Sequence, residues 1–94
     1  MNTKLFSLLR TRAINRFGLE LYTHDDAIMI VEICMHNKIR ILGIDAFDIS
    51  DGFTHPVMEF SIDYTSTSSS EGKPDAKEFL KMQKNLNLVY EIVF

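Results

Sequence analysis

The sequence predicts an α+β domain. It has a three-stranded, antiparallel-centred sheet in the order second, first, third, its last strand entered by a crossover helix, and about three helices packed mainly on one face. Three observations predict it. Ile39 to Asp51 is apolar on both sides of a pleat, with Ile41, Phe47 and Ile49 one way and Leu42, Ile44 and Ala46 the other, as a strand covered on both faces must be. His24 to Asn37 is apolar around nearly its whole circumference, with only Glu32 polar in its middle, so this helix needs cover on most sides. Val57 to Thr65 and Leu88 to Phe94 alternate with period two, the pattern of strands.

Taken in order, Leu5, Leu9, Ala13 and Phe17 fall at four-residue steps and predict a helix from Lys4 to about Phe17, stopped by Gly18. The second helix has a capping-box start, Thr23 with Asp26 three residues on, and Asp25 and Asp26 suit the positive end of its dipole. It is expected to lie between the sheet and the first helix. Gly43 interrupts the first strand and marks a bulge or a close backbone approach. Asp51-Gly52 and His55-Pro56 mark a turn. In the second strand Met58, Phe60, Ile62 and Tyr64 oppose Glu59, Ser61, Asp63 and Thr65, which makes it an edge strand with one wet face. Ser66 to Lys73 reads as a flexible loop, and Pro74 suits the first turn of a third helix reaching about Asn85. Pairing the last strand with the first makes the first central, as its two-sided apolar pattern demands, and the parallel connection is expected to be right-handed.

The 94 residues, 46% of them apolar, form one domain, 1–94, with residues 1–20 as an N-terminal helical extension. The apolar patch within Met1 to Leu9 is too short for a secretory core or a membrane span. The single cysteine, Cys34, excludes an intrachain disulfide, and the expected compartment is the cytoplasm. Charge is polarised along the chain. Residues 1–16 carry Lys4, Arg10, Arg12 and Arg16 without an acid, whereas residues 39–65 carry Asp45, Asp48, Asp51, Glu59 and Asp63 against Arg40 alone. The helix-free face of the sheet is therefore expected to gather Asp45, Glu59, Asp63 and Glu91 around Phe47 and Tyr64.

No catalytic constellation is legible. His24, His36 and His55 are scattered, and there is no glycine-rich phosphate loop. Aligning Gly52 with the sixth position of an EF-hand loop puts Phe47 first, Ile49 third and Met58 twelfth, which excludes that calcium site. Neither a metal nor another cofactor is expected. The four basic residues of the first helix allow a small nucleic-acid-binding regulator as the alternative reading, although aromatic-basic interleaving and helix-turn-helix spacing are missing.

Glu32-Ile33-Cys34 near a helix end, Ile41-Leu42-Gly43-Ile44-Asp45 on a strand, and Phe60-Ser61-Ile62-Asp63 before a closing helix and strand resemble one family. It is that of the immunity proteins neutralising anticodon-cleaving, tRNA-specific colicins, with related immunity proteins of polymorphic-toxin and contact-dependent inhibition systems. The resemblance covers about residues 24–94; residues 1 to about 20 lie outside it, and the segment after Asp45 departs from it. It implies binding without catalysis, an acidic surface occupying the RNA-binding cleft of a nuclease. The implied partner is the C-terminal nuclease domain of a cognate toxin, met by a cytoplasmic monomer that touches neither nucleic acid nor membrane. The expected toxin-binding residues are Asp45, Phe47, Asp48, Asp51, Glu59, Asp63 and Tyr64.

Overall fold

The computed structural model describes residues 3–65, 74–83 and 86–94, and at its centre is β3 (Gly43–Asp48). Its antiparallel neighbour on one side is β6 (Val89–Val93), from Gly43↔Val93 to Phe47↔Val89. On the other side it meets two short strands, β4 (His55–Pro56) and β5 (Ile62–Asp63). The α+β class and the central place of the first predicted strand are thus observed. Among the described residues, however, the sheet has six strands rather than three: a hairpin of β1 (Ile14–Arg16) and β2 (Leu19–Thr23) adds to the far side of β6, and two short strands, β4 and β5, stand where one was expected.

That hairpin replaces the second half of the predicted first helix. Helix α1 covers only Thr3–Arg10. The chain then reverses at Phe17-Gly18, both with positive φ (50° and 81°), between the paired Arg16 and Leu19. Two residues of positive φ make the tight turn whose twist suits a hairpin.

Helix α2 (His24–His36) starts where its sequence signals say, with the Thr23 hydroxyl accepting a hydrogen bond from the Asp26 N–H at 3.4 Å. It ends as Lys38 enters the left-handed region and the Ile39 N–H reaches the Cys34 carbonyl at 2.8 Å, which satisfies a terminal carbonyl. Helix α3 (Ala76–Lys81) is capped by Asp75, whose carboxylate accepts from the Glu78 N–H at 2.9 Å. It is shorter than expected at both ends, starting two residues after Pro74 and stopping at Lys81, with Met82 as its C-cap, instead of reaching about Asn85. The loop expected at 66–73 lies outside the described residues.

The predicted second strand is broken in the middle, where Met58–Phe60 form a 3-10 turn. Ser61 explains how the sheet tolerates the break. Its hydroxyl accepts from the Ala46 N–H at 2.9 Å and donates to the Val57 carbonyl at 2.9 Å, so a side chain takes the place of a missing ladder partner. Gly43 is the close approach its position implied: a Cβ there would stand 3.0 Å from the Ile62 carbonyl oxygen.

Ile44, Ala46, Tyr90 and Ile92 pack with Leu9, Ile30, Val31, Cys34 and Leu80 in the main core, so all three helices cover the same face. The opposite face holds a second, smaller core of Leu21, Phe47 and Val89, flanked by Ile14, Leu19 and Ile49. β2 creates it by changing partners. Leu19–Leu21 pair with β1, while only Tyr22 and Thr23 pair with β6. At Leu21 the strand therefore curls over the helix-free face, burying that side chain completely. Full burial of a leucine stabilises by about 1.5–3 kcal/mol, which favours the bend over a continued ladder. Arg16 ties the curled hairpin down, its Nη1 donating to the Gly52 carbonyl at 3.2 Å.

Candidate functional site

The helix-free face divides into an apolar half, roofed by the β1–β2 hairpin, and an acidic half. Alternation along β3 puts Gly43, Asp45 and Phe47 on this face. The ladders place Glu91 opposite Asp45 and Asp63 opposite Gly43. Asp45, Asp63 and Met58 line a shallow cavity of about 350 Å³. Met58 is 76% exposed, and Glu59 is exposed beside it on the 3-10 turn.

Asp45 and Glu91 form a cross-strand pair of like charge. Burial, reinforced by Asp45 through its charge and a side-chain hydrogen bond, pushes the Glu91 carboxyl above its ordinary range. Neither residue forms an ion pair with a described cation. Asp63 is held locally, its Oδ1 accepting from the Thr65 N–H at 2.8 Å and the Thr65 hydroxyl at 2.6 Å.

The other expected site residues are distributed differently. Asp48 and Asp51 sit at the opposite end of β3, in the turn to β4. Asp48 Oδ1 accepts from the Ser50 N–H (2.9 Å) and hydroxyl (2.7 Å). Asp51 accepts from the Phe53 N–H at 3.0 Å and has His55 Nε2 2.8 Å from its other oxygen. These bonds, from Ser50 to Asp48 and from Phe53 and then His55 to Asp51, hold both carboxyls below the ordinary range. Asp48 lies three strand positions from Asp45, about 10 Å away, and it points to the other face.

The two expected aromatic anchors are corrected. Phe47 shares the face of Asp45 but is buried in the second core beneath the hairpin. Tyr64 lies on the helix side, its hydroxyl donating to the Pro74 carbonyl at 2.7 Å and its ring packed against the main core. The large apolar groups exposed instead include Phe17, Phe53 and Met58. Glu91, recognised by alternation alone, proves to be the partner of Asp45.

The basic residues that suggested nucleic-acid binding are largely engaged within the fold. Arg10 pairs with Glu20 (Nη2–Oε1 2.7 Å), and Arg12 lies 3.0 Å from the buried carboxylate of Asp26. Arg16 reaches the Gly52 carbonyl, and Lys4 is exposed. Cys34 is fully buried and its thiol is pushed up by that burial, the setting of an inert cysteine. Among the described residues no three of His, Cys, Asp and Glu are placed to hold a metal ion, and no helix is long and apolar enough to cross a membrane.

Comparison of the chain with protein-family models, curated proteins and solved structures finds no match.

Proposed function

We propose that this chain is an immunity protein. It binds a cognate bacterial toxin in the cytoplasm, as a monomer and without catalysis of its own, and covers the active site of the toxin with the acidic half of its sheet. The toxin class that fits is a ribonuclease acting on tRNA, because a nuclease cleft must be basic to neutralise phosphates.

The observation that carries this reading is the Asp45–Glu91 pair. Two carboxyls directly opposed on central strands are a poor arrangement for the isolated fold, and a cationic surface laid against them would relieve it. Such complementarity also steers association, up to about 10⁸ to 10⁹ M⁻¹s⁻¹ at low salt. An antidote benefits from speed. Asp63 and Glu59 flank the pair, and Met58 supplies an exposed apolar contact. The internal engagement of Arg10, Arg12 and Arg16 weighs against the nucleic-acid regulator.

Co-expression tests the reading. The chain is expected to rescue cells from one cognate toxin and not from unrelated ones. With the purified pair, Glu59→Lys and Asp63→Lys are expected to slow association and flatten its salt dependence. Failure to protect against any candidate nuclease, together with tight binding of free RNA, would overturn it.

A further inference from the structure

Where β2 parts from β6 the sheet contains a crevice of about 340 Å³. The ladder register would allow all five residues of β2 to pair with the five of β6, yet only Tyr22↔Tyr90 and Thr23↔Val89 do. The strands separate because Leu21 is drawn into the second core, as described above.

The lining of this opening combines two chemistries. Its apolar part includes Ile92 and also Phe6 and Phe94, whose rings meet edge to face at 5.6 Å and 79°. Its polar part is Arg10, Glu20, Tyr22 and Glu91. Three of these four satisfy one another. Arg10 donates to both carboxylate oxygens of Glu20, at 2.7 and 3.3 Å, and the Tyr22 hydroxyl donates to Glu20 at 3.2 Å. Burial, then Glu20, pushes the Tyr22 hydroxyl up to about 12, so it stays protonated as a donor. Among the described residues, Glu91 faces only another carboxyl, that of Asp45.

We propose that this crevice is a binding site for a cationic side chain, a guanidinium or ammonium group carried on an apolar stem, with its head against Glu91 and its stem along Phe94 and Ile92. Aromatic faces attract such cations as well as packing their stems. An anion finds no free cation here, since Arg10, the one cation among the described residues lining the crevice, is already bonded to Glu20. The proposal deepens the immunity reading and rests on it for its biological occupant, an arginine or lysine of the basic toxin inserted into the antidote.

The test uses the full chain without any toxin. n-Butylguanidinium is titrated into ¹⁵N-labelled protein and followed by amide shifts, with butyrate and plain guanidinium as comparisons. Saturable shifts at Glu20, Glu91 and Ile92 are expected with n-butylguanidinium and not with butyrate. Glu91→Gln is expected to weaken binding about tenfold, the worth of a charge-assisted hydrogen bond. Phe94→Ala, at a half-exposed position, is expected to weaken n-butylguanidinium more than plain guanidinium, which has no stem. The amide spectrum of each variant reports whether it is folded.

Absence of saturable shifts, competition by butyrate, or unchanged affinity in folded Glu91→Gln would overturn the site. Because no toxin is present, n-butylguanidinium binding combined with failed rescue would sink the immunity reading alone. Rescue without n-butylguanidinium binding would sink the crevice alone.

Discussion

Replacing Asp45 with Asn asks whether the acidic pair serves the fold or a partner. Its neighbour Glu91 has a carboxyl pushed above its ordinary range, first by burial and then by Asp45. A carboxyl raised on folding stabilises fully below its unfolded pKa, and that contribution is lost as pH rises through the folded value. At pH 7 the pair therefore works against the fold. Like charges directly opposed across a ladder cost about 0.2–1 kcal/mol, and the partial exposure of both residues argues for the lower half of that range. Asp45→Asn keeps the shape and removes one charge. It is expected to stabilise the protein at pH 7 by about 0.5 kcal/mol, a rise in Tm of about 2–4 °C for a domain of this size. The gain should vanish near pH 4, where Glu91 is protonated in the parent protein as well. Urea unfolding at both pH values measures it, and toxin affinity on the same variant should fall. A loss of about 1–3 kcal/mol at both pH values would mean that the carboxylate is an acceptor the fold requires. With unchanged affinity, that result would refute the placing of Asp45 in the binding surface.

Three further substitutions probe the elements that hold this face in place. Phe17 is 94% exposed at φ 50° in the hairpin turn, so Phe17→Asn should raise thermal stability by up to about 1 kcal/mol by relieving the left-handed conformation; a fall would mean that the ring makes a stabilising contact. Ser61→Ala removes the hydroxyl that accepts from the Ala46 N–H and should cost about 1–3 kcal/mol in chemical denaturation, whereas unchanged stability would mean that another acceptor replaces the hydroxyl. Arg12→Ala leaves the Asp26 carboxylate, 3% exposed, without its cation and should destabilise by a similar amount; no change in unfolding midpoint would show that this carboxylate needs no counter-charge.

Much of the fold is legible because several local signals agree. Thr23, Asp26 and an apolar run broken only by Glu32 leave little choice for α2, and β-branched and aromatic residues mark β6. The N-terminal hairpin is not legible for two physical reasons. Leu5, Leu9, Ala13 and Phe17 satisfy a helical period, and the turn uses Phe17 where Asn or Gly would have announced positive φ. The break at Met58–Phe60 is hidden because Ser61 belongs to the predicted wet face, and nothing in period two says that its hydroxyl will replace a backbone partner. In the candidate site, alternation alone places Asp45, Asp63 and Glu91 together.

Phe47 and the crevice were both beyond alternation, and they have one cause. Period two tells which face a side chain takes, not whether another segment of chain will later cover that face. Leu21 decides that: by leaving β6 to bury itself against Phe47 and Val89, it roofs the aromatic residue that would otherwise have been the exposed anchor. The same departure opens the strand gap in front of Glu91. A β2 that stayed paired with β6 along its length would leave Phe47 exposed and close the crevice. The apolar half of the face is thus covered by the movement that makes the acidic half accessible from the side. It follows that substitutions at Leu21 should perturb binding at Glu91 without either residue touching a partner through the other.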